Sequence, residues 1–116
     1  MYFVKTPKIA QSIIKKAVWN IPNNDREIFL TFDDGPTPSI TNQTLDILRE
    51  HKIKATFFCL GSQVEKHPEI FKRITDEGHA VGNHSYSHLK GWTTNNQQYL
   101  EDVRKGEAII KSHLFR

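Results

Sequence analysis

Phe29-Leu30-Thr31-Phe32-Asp33-Asp34-Gly35-Pro36 decides how this chain folds: an apolar run stops abruptly at two adjacent carboxylates and a turn. From about Ile28 to Phe32 nearly every residue is apolar, the pattern of a parallel strand covered on both faces. Gly35 and Pro36 suit the turn that follows. Thr37 then fits a helix cap, with Pro38 at the first helical position and Ile40, Leu45 and Leu48 as the inward stripe.

The same pattern recurs downstream. Ala55 to Leu60 reads as a second buried strand, and Pro68 to Glu77 as a helix with Ile70, Phe71 and Ile74 inward and Gly78 as its stop. A short strand from about His79 to Gly82 leads into His84-Ser85-Tyr86-Ser87-His88. Thr94-Asn95-Asn96-Gln97 resembles a capping box, after which Tyr99, Leu100, Val103, Ile109 and Ile110 recur at helical spacing. This alternation implies an α/β fold of parallel strands with helices packed outside. In such folds ligands bind at the carboxyl ends of the strands, where Asp33, Asp34, His84 and His88 all fall.

Upstream, residues 7–19 read as an amphipathic helix. Ile9, Ile13 and Ala17 form a stripe flanked by Ala10, Ile14 and Val18, and Lys8, Lys15 and Lys16 lie towards the other side. Packing of that stripe on the domain is expected, in preference to an anionic membrane surface. Ile21-Pro22-Asn23-Asn24-Asp25 has the turn chemistry of a linker. The chain thus divides into an N-terminal helix and linker at 1–25 and a domain at 26–116.

At 116 residues one domain with a real core is expected. Sixteen Lys and Arg face 13 acidic residues, spread along the chain, so a net charge of +3 carries no nucleic-acid footprint. The single cysteine, Cys59, allows neither an intrachain disulfide nor a Cys-based zinc site, and its apolar run assigns it to core packing. No stretch has the length of a membrane span, and no signal-peptide pattern opens the chain. Cytoplasmic residence is the default expectation, with export still open because a leader can be removed upstream.

His84 and His88, at i and i+4 on one short helical turn, face the same way and suit one divalent metal. Each motif alone has an ordinary explanation, since such a histidine pair arises by chance on polar loops and Asp-Gly-Pro is common turn chemistry. Their convergence on one rim of an alternating fold favours a shared site. Neighbouring strand residues point oppositely, so Asp33 and Asp34 are expected to divide the work. One carboxylate ligates the ion while the other stays free to take a proton from water.

Thr31-Phe32-Asp33-Asp34-Gly35-Pro36 and His84-Ser85-Tyr86-Ser87-His88, with Ala55-Thr56-Phe57-Phe58 and Gly78-His79-Ala80-Val81-Gly82-Asn83 between them, resemble the polysaccharide deacetylases. These are the family-four carbohydrate esterases, related to the nodulation chitooligosaccharide deacetylases. The resemblance runs from about Ile28 to the last residue and implies the N-terminal part of a distorted, incomplete (β/α) barrel. It implies Asp33 as catalytic base and Asp34, His84 and His88 as metal ligands, with zinc the usual ion and cobalt or nickel as substitutes. The implied substrate is an acetylated polysaccharide or oligosaccharide, N-acetylated as in chitin or peptidoglycan, or O-acetylated as in xylan.

The family's third motif reads Arg-x-Pro-Tyr, and Arg116 matches its first residue, a base-orienting arginine, where the sequence ends. The family's later acid is not among these residues, so metal binding with little deacetylase activity is expected of this stretch. His79 is expected to be structural, and His51, His67 and His113 to be solvated at helix ends. Asn83, Ser85 and Ser87 are weaker candidates for orienting the imidazoles, and Tyr86 and Trp92 for stacking on a sugar ring, with core packing an equal alternative for Trp92. A half-barrel also leaves an open edge and apolar faces, so self-association is expected. Two other classes fit the bare ligand set. One is a non-catalytic carbohydrate-binding or interaction module; the other, a non-haem iron oxygenase, normally uses an antiparallel double sheet, unlike this alternating pattern.

Overall fold

A computed structural model describes residues 6–19 and 27–114. Its elements run α1 (Lys8–Ile13), β1 (Thr31–Asp33), α2 (Ile40–Glu50), β2 (Thr56–Cys59), α3 (Gly61–Lys66), α4 (Pro68–Asp76), β3 (Ala80–Asn83) and α5 (Asn96–Leu114). The three strands form one parallel sheet in the order β1-β2-β3, so the expected α/β alternation is present and the sheet is open among the described residues. The register aligns Phe32, Phe57 and Val81, then Asp33, Phe58 and Gly82. One further step brings Cys59 level with Asn83, so His84 begins just past the end of β3.

Side chains alternate across a strand, and the two faces of the sheet have different fates. Phe57 and Cys59 point into a core built with Leu45 and Leu48 of α2, Val64 of α3, Phe71 and Ile74 of α4 and Ile110 of α5. Phe32, Val81 and Ile109 pack against its margin. Burial pushes the Cys59 thiol up to about 12, in keeping with a packing role. On the other face Thr31, Asp33 and Phe58 are exposed, with the Phe58 ring lying over Gly82. Coverage of β1 on both faces is therefore not what the structure shows: Ile28 is 85% exposed and Phe29 64%. An apolar run reports a preference for burial, and the described helices pack on one side only.

Several boundaries shift for local reasons. Helix α2 starts two residues later than expected, because residues 37–41 form a turn in which the Thr37 amide donates to Thr41 Oγ1 at 2.8 Å. Ile40 is exposed and Thr41 takes its inward place, since Thr41 lies one helical turn before Leu45 and Ile40 does not. Helix α3 went unread because six residues opening on Gly61 carry too little periodicity, with Gly61 and Val64 the buried pair. At α5 the cap is Asn95, whose Oδ1 accepts the Gln98 amide at 2.9 Å, one residue after the expected Thr94.

The N-terminal helix is the largest correction. It spans Lys8–Ile13 instead of 7–19 and buries no residue, with Ile9 and Ile13 exposed. Six residues ending in the β-branched pair Ile13-Ile14 make a weak helix without a surface to pack on. The proposed linker at 21–25 lies outside the described residues.

His79 opens the β3 segment as a buried residue. Its Nδ1 accepts the Ala55 amide at 3.2 Å and its ring meets Phe57 edge-on. His113 is half-buried, not solvated: its Nδ1 lies 2.9 Å from the Ile109 carbonyl oxygen and its ring stands edge-on to Phe71. Arg73 ties α4 to α2 through Asp46 at 2.6 Å and also pairs with Glu77 at 2.5 Å.

Burial, reinforced by Lys54 and only partly opposed by Glu77, holds the His79 pKa below the ordinary imidazole value. The neutral ring's contribution to stability is therefore full above the unfolded value of about 6.5 and is lost as pH falls through the lower folded value. Urea denaturation between pH 7.5 and 5 is expected to show stability falling with acidification. The slope should be shallower in His79→Asn, which keeps an acceptor for the Ala55 amide.

Candidate metal centre

Asp34 follows the last residue of β1 with φ +68, in the left-handed region that disfavours residues carrying a Cβ. That turn separates the two carboxylates. Asp33 keeps its strand position on the exposed face, level with Phe58, while Asp34 turns towards the end of β3. There Asp34 Oδ1 lies 3.2 Å from His84 Nε2 and 3.4 Å from His88 Nε2. The two imidazole centroids are 5.0 Å apart with the rings tilted by 56°.

The donor atoms of Asp34, His84 and His88 all lie within 4.8 Å of one another. Zinc ligands about 2.0–2.1 Å from an ion sit roughly 3.3 Å apart at tetrahedral angles. The two oxygen-to-nitrogen distances therefore fit a shared divalent ion with little movement. Two neutral imidazoles and one carboxylate also leave a coordination position open, the mark of catalytic rather than structural zinc sites.

The histidine segment is not the helical turn its spacing suggested. Residues 84–88 form an irregular bend, with φ +68 at Ser85 and +60 at His88. The main chain ties the bend to the sheet: the His84 amide donates to the Cys59 carbonyl, and the Gly61 and Ser62 amides at the start of α3 donate to the carbonyls of Ser85 and Tyr86. The Leu60 amide donates to the Gly35 carbonyl at 2.9 Å, so all three strand ends are joined at the rim.

The weaker candidates separate clearly. Asn83 braces the bend, its Oδ1 accepting the Ser85 amide and its Nδ2 donating to the Val103 carbonyl, both at 2.9 Å. Ser85 Oγ accepts the His88 amide at 3.1 Å. The Ser87 hydroxyl donates to Asp102 Oδ1 at 2.5 Å. Tyr86 is engaged elsewhere: its hydroxyl reaches Glu65 at 2.8 Å and Lys105 Nζ sits 3.4 Å from its ring centroid. That face of the ring is not free to stack on a sugar. Trp92 is fully exposed, which removes the packing alternative and leaves its ring available. Arg116 lies outside the described residues.

Two neighbours of the bend went unread in the sequence, Asp102 and Gly106 of α5. Asp102 Oδ2 accepts the Tyr86 and Ser87 amides at 2.9 and 3.0 Å. Burial raises the Asp102 pKa, but the Ser87 hydroxyl and amide and the Tyr86 amide more than offset it, so the carboxyl sits below its usual range. A Cβ on Gly106 would fall 2.5 Å from the Ser85 carbonyl oxygen and 2.8 Å from Asn83 Oδ1. A glycine inside a long helix costs stability and so signals close approach. That signal stood in the sequence, one helical turn beyond an acid on the same face.

The open parallel sheet carries at its carboxyl rim a group of three residues, Asp34, His84 and His88, that could hold a metal ion, which defines the class as an α/β domain with a candidate metal centre. The polysaccharide deacetylase family model matches residues 20–115, and the chain belongs to that family. It is 42% identical over 93 residues to a peptidoglycan-N-acetylglucosamine deacetylase of Bacillus cereus, covering 80% of this chain and 44% of that protein. It is also 42% identical over 91 residues to a chitooligosaccharide deacetylase of Rhizobium leguminosarum bv. trifolii, covering 78% and 42%. The chain thus spans less than half the length of these curated relatives.

Among solved structures, the peptidoglycan deacetylase PdaC from Bacillus subtilis superposes with a TM-score of 0.74 at 43% identity, over 80% of this chain and 46% of that one. A family-four carbohydrate esterase from Streptomyces lividans in complex with acetate superposes at 0.72 with 30% identity, over 77% and 46%. These neighbours have the (β/α) barrel fold, so the expected fold class stands.

Removing any one of the three ligands is expected to weaken divalent-ion binding by more than the roughly 10–100-fold typical of outer partners. Zinc competition titrations on Asp34→Ala, His84→Ala and His88→Ala, each checked for an unchanged far-UV spectrum, measure this.

Proposed function

We propose that this chain carries the metal-holding part of a deacetylase that acts on N-acetylated polysaccharide of the peptidoglycan or chitin type. The observation that carries the reading is the Asp34 carboxylate oxygen set 3.2 and 3.4 Å from two imidazole nitrogens at the strand ends, beside a second carboxylate at Asp33. The relatives named as peptidoglycan-N-acetylglucosamine and chitooligosaccharide deacetylases support the substrate class. Zinc is the ion we assign, from the donor set of two imidazoles and one carboxylate.

A divalent ion held by Asp34, His84 and His88 supplies Lewis acidity for the acetamide carbonyl and a lowered pKa for the attacking water. Asp33, exposed on the adjoining position of β1, would serve as the general base that accepts a proton from the nucleophile. Asp34 contributes its charge to the ion instead of to proton transfer, because its left-handed turn sends it to the imidazoles. The amine that departs needs a proton, and we assign no described residue to that role. General acids and oxyanion donors each contribute on the order of a hundredfold or more. The 116-residue polypeptide should therefore bind the ion and release acetate slowly. We also propose that the open face of the sheet, where Phe58 is exposed, supports self-association.

Asp33→Asn should leave zinc affinity within a few-fold of wild type while abolishing whatever acetate release an acetylated chitooligosaccharide gives. Equal acetate release by wild type and this variant would sink the assignment of the base. Light scattering across a concentration series should show mass growing with concentration; a constant monomer mass would remove the self-association.

A further inference from the structure

The segment between the two histidines is held from outside the sheet. Non-glycine residues in the left-handed region persist only where their surroundings over-determine them, and Ser85 and His88 both lie there. Within the bend the restraint is slight, one hydrogen bond from the His88 amide to Ser85 Oγ. The sheet and α3 hold the carbonyls of Ser85 and Tyr86 and the His84 amide, and α5 holds the two amides that follow. There Asp102 accepts two successive amides, Tyr86 and Ser87, on Oδ2 and the Ser87 hydroxyl on Oδ1. Hydrogen bonds to an ionised carboxylate are roughly twice as strong as neutral ones. Gly106, one turn further along α5, permits the approach, and Asn83 anchors to the Val103 carbonyl in the same stretch.

We propose that Asp102 is a positioning residue for the metal centre: by clamping the two amides midway between His84 and His88 it sets the angle and separation of the two imidazoles. The inference rests on the reading of Asp34, His84 and His88 as ligands. Asp102 is not itself in the ligand cluster of the described residues, so it acts through the bend. The clamp reaches 15–16 residues along the chain, from α5 to Tyr86 and Ser87, and no group within the bend duplicates it. An asparagine at this position has one acceptor oxygen and cannot receive all three donors. Glutamate keeps both oxygens on a longer stem.

Cobalt(II) alone is the probe, titrated into the 116-residue chain while its visible absorption is followed, with zinc added in competition. Wild type should take up the ion with a d–d band of a low-coordinate site. Asp102→Asn should bind about 10–100-fold more weakly and shift that band, and Asp102→Glu should recover part of both. Hydrogen exchange should quicken at the Tyr86 and Ser87 amides while the Phe57 amide in the central strand keeps its protection. If Asp102→Asn loses protection at Tyr86 and Ser87 but keeps wild-type affinity and an unshifted band, the clamp is structural and the proposal fails. Should Asp102→Asn not fold, Ser87→Ala removes one of the three contacts, and an unshifted cobalt band in that variant likewise overturns it. Wild type that takes up neither cobalt nor zinc would instead sink the ligand reading beneath it, a result separate from the other two.

Discussion

A single carboxylate oxygen between two imidazole nitrogens is the contact on which the rest of this structure converges. Asp34 Oδ1 meets His84 and His88 at 3.2 and 3.4 Å because β1 and β3 end within one residue of each other, although β2 lies between them. Parallel register is what makes that possible. With Asp33, Phe58 and Gly82 aligned across the sheet, Asp34 and, one position further on, His84 emerge on one rim. A slip of one residue in either pairing would send alternate side chains to the opposite face and part the ligands.

The core serves that register. Phe57 and Cys59 on the central strand are enclosed by residues from α2 to α5, and the Arg73 contacts with Asp46 and Asn42 fasten α4 to α2 behind them. Exposed ion pairs stabilise little on their own. Burial of the aromatic and aliphatic side chains is the larger contribution, on the order of 1.5–3 kcal/mol for each fully buried one. The opposite face of the sheet has no such cover among the described residues, and it is the face on which Asp33 is exposed. Covered and open faces thus divide stability from chemistry.

Three of the five non-glycine residues at positive φ among the described residues lie at this rim, the other two being Ser39 and Lys52. Asp34, Ser85 and His88 all occupy the left-handed region, and Gly106 comes within van der Waals reach of the Ser85 backbone. Such conformations survive when neighbouring groups leave no alternative. Here the Asn83 side chain, the amides that begin α3 and the Asp102 carboxylate supply that constraint. The cluster is braced on the histidine side, while Asp33 lies exposed on the open face of the sheet.

What the sequence determined alone was the order of strands and helices and the place of Asp33, Asp34, His84 and His88 at strand ends. Those features are written locally: an apolar run ending in Asp33-Asp34, a histidine pair five residues wide, glycine and proline stops. Tertiary structure decided which carboxylate faces the imidazoles, because that depends on a left-handed turn at Asp34 that no periodicity encodes. It also decided that residues 84–88 bend instead of forming a helical turn, that one face of β1 stays open, and that the N-terminal stripe remains unburied. Asp102 belongs to the same class: it lies 15 residues beyond Ser87, and only the packing of α5 against the bend joins them. Local pattern reports what a residue prefers, whereas distance across the fold reports what it meets.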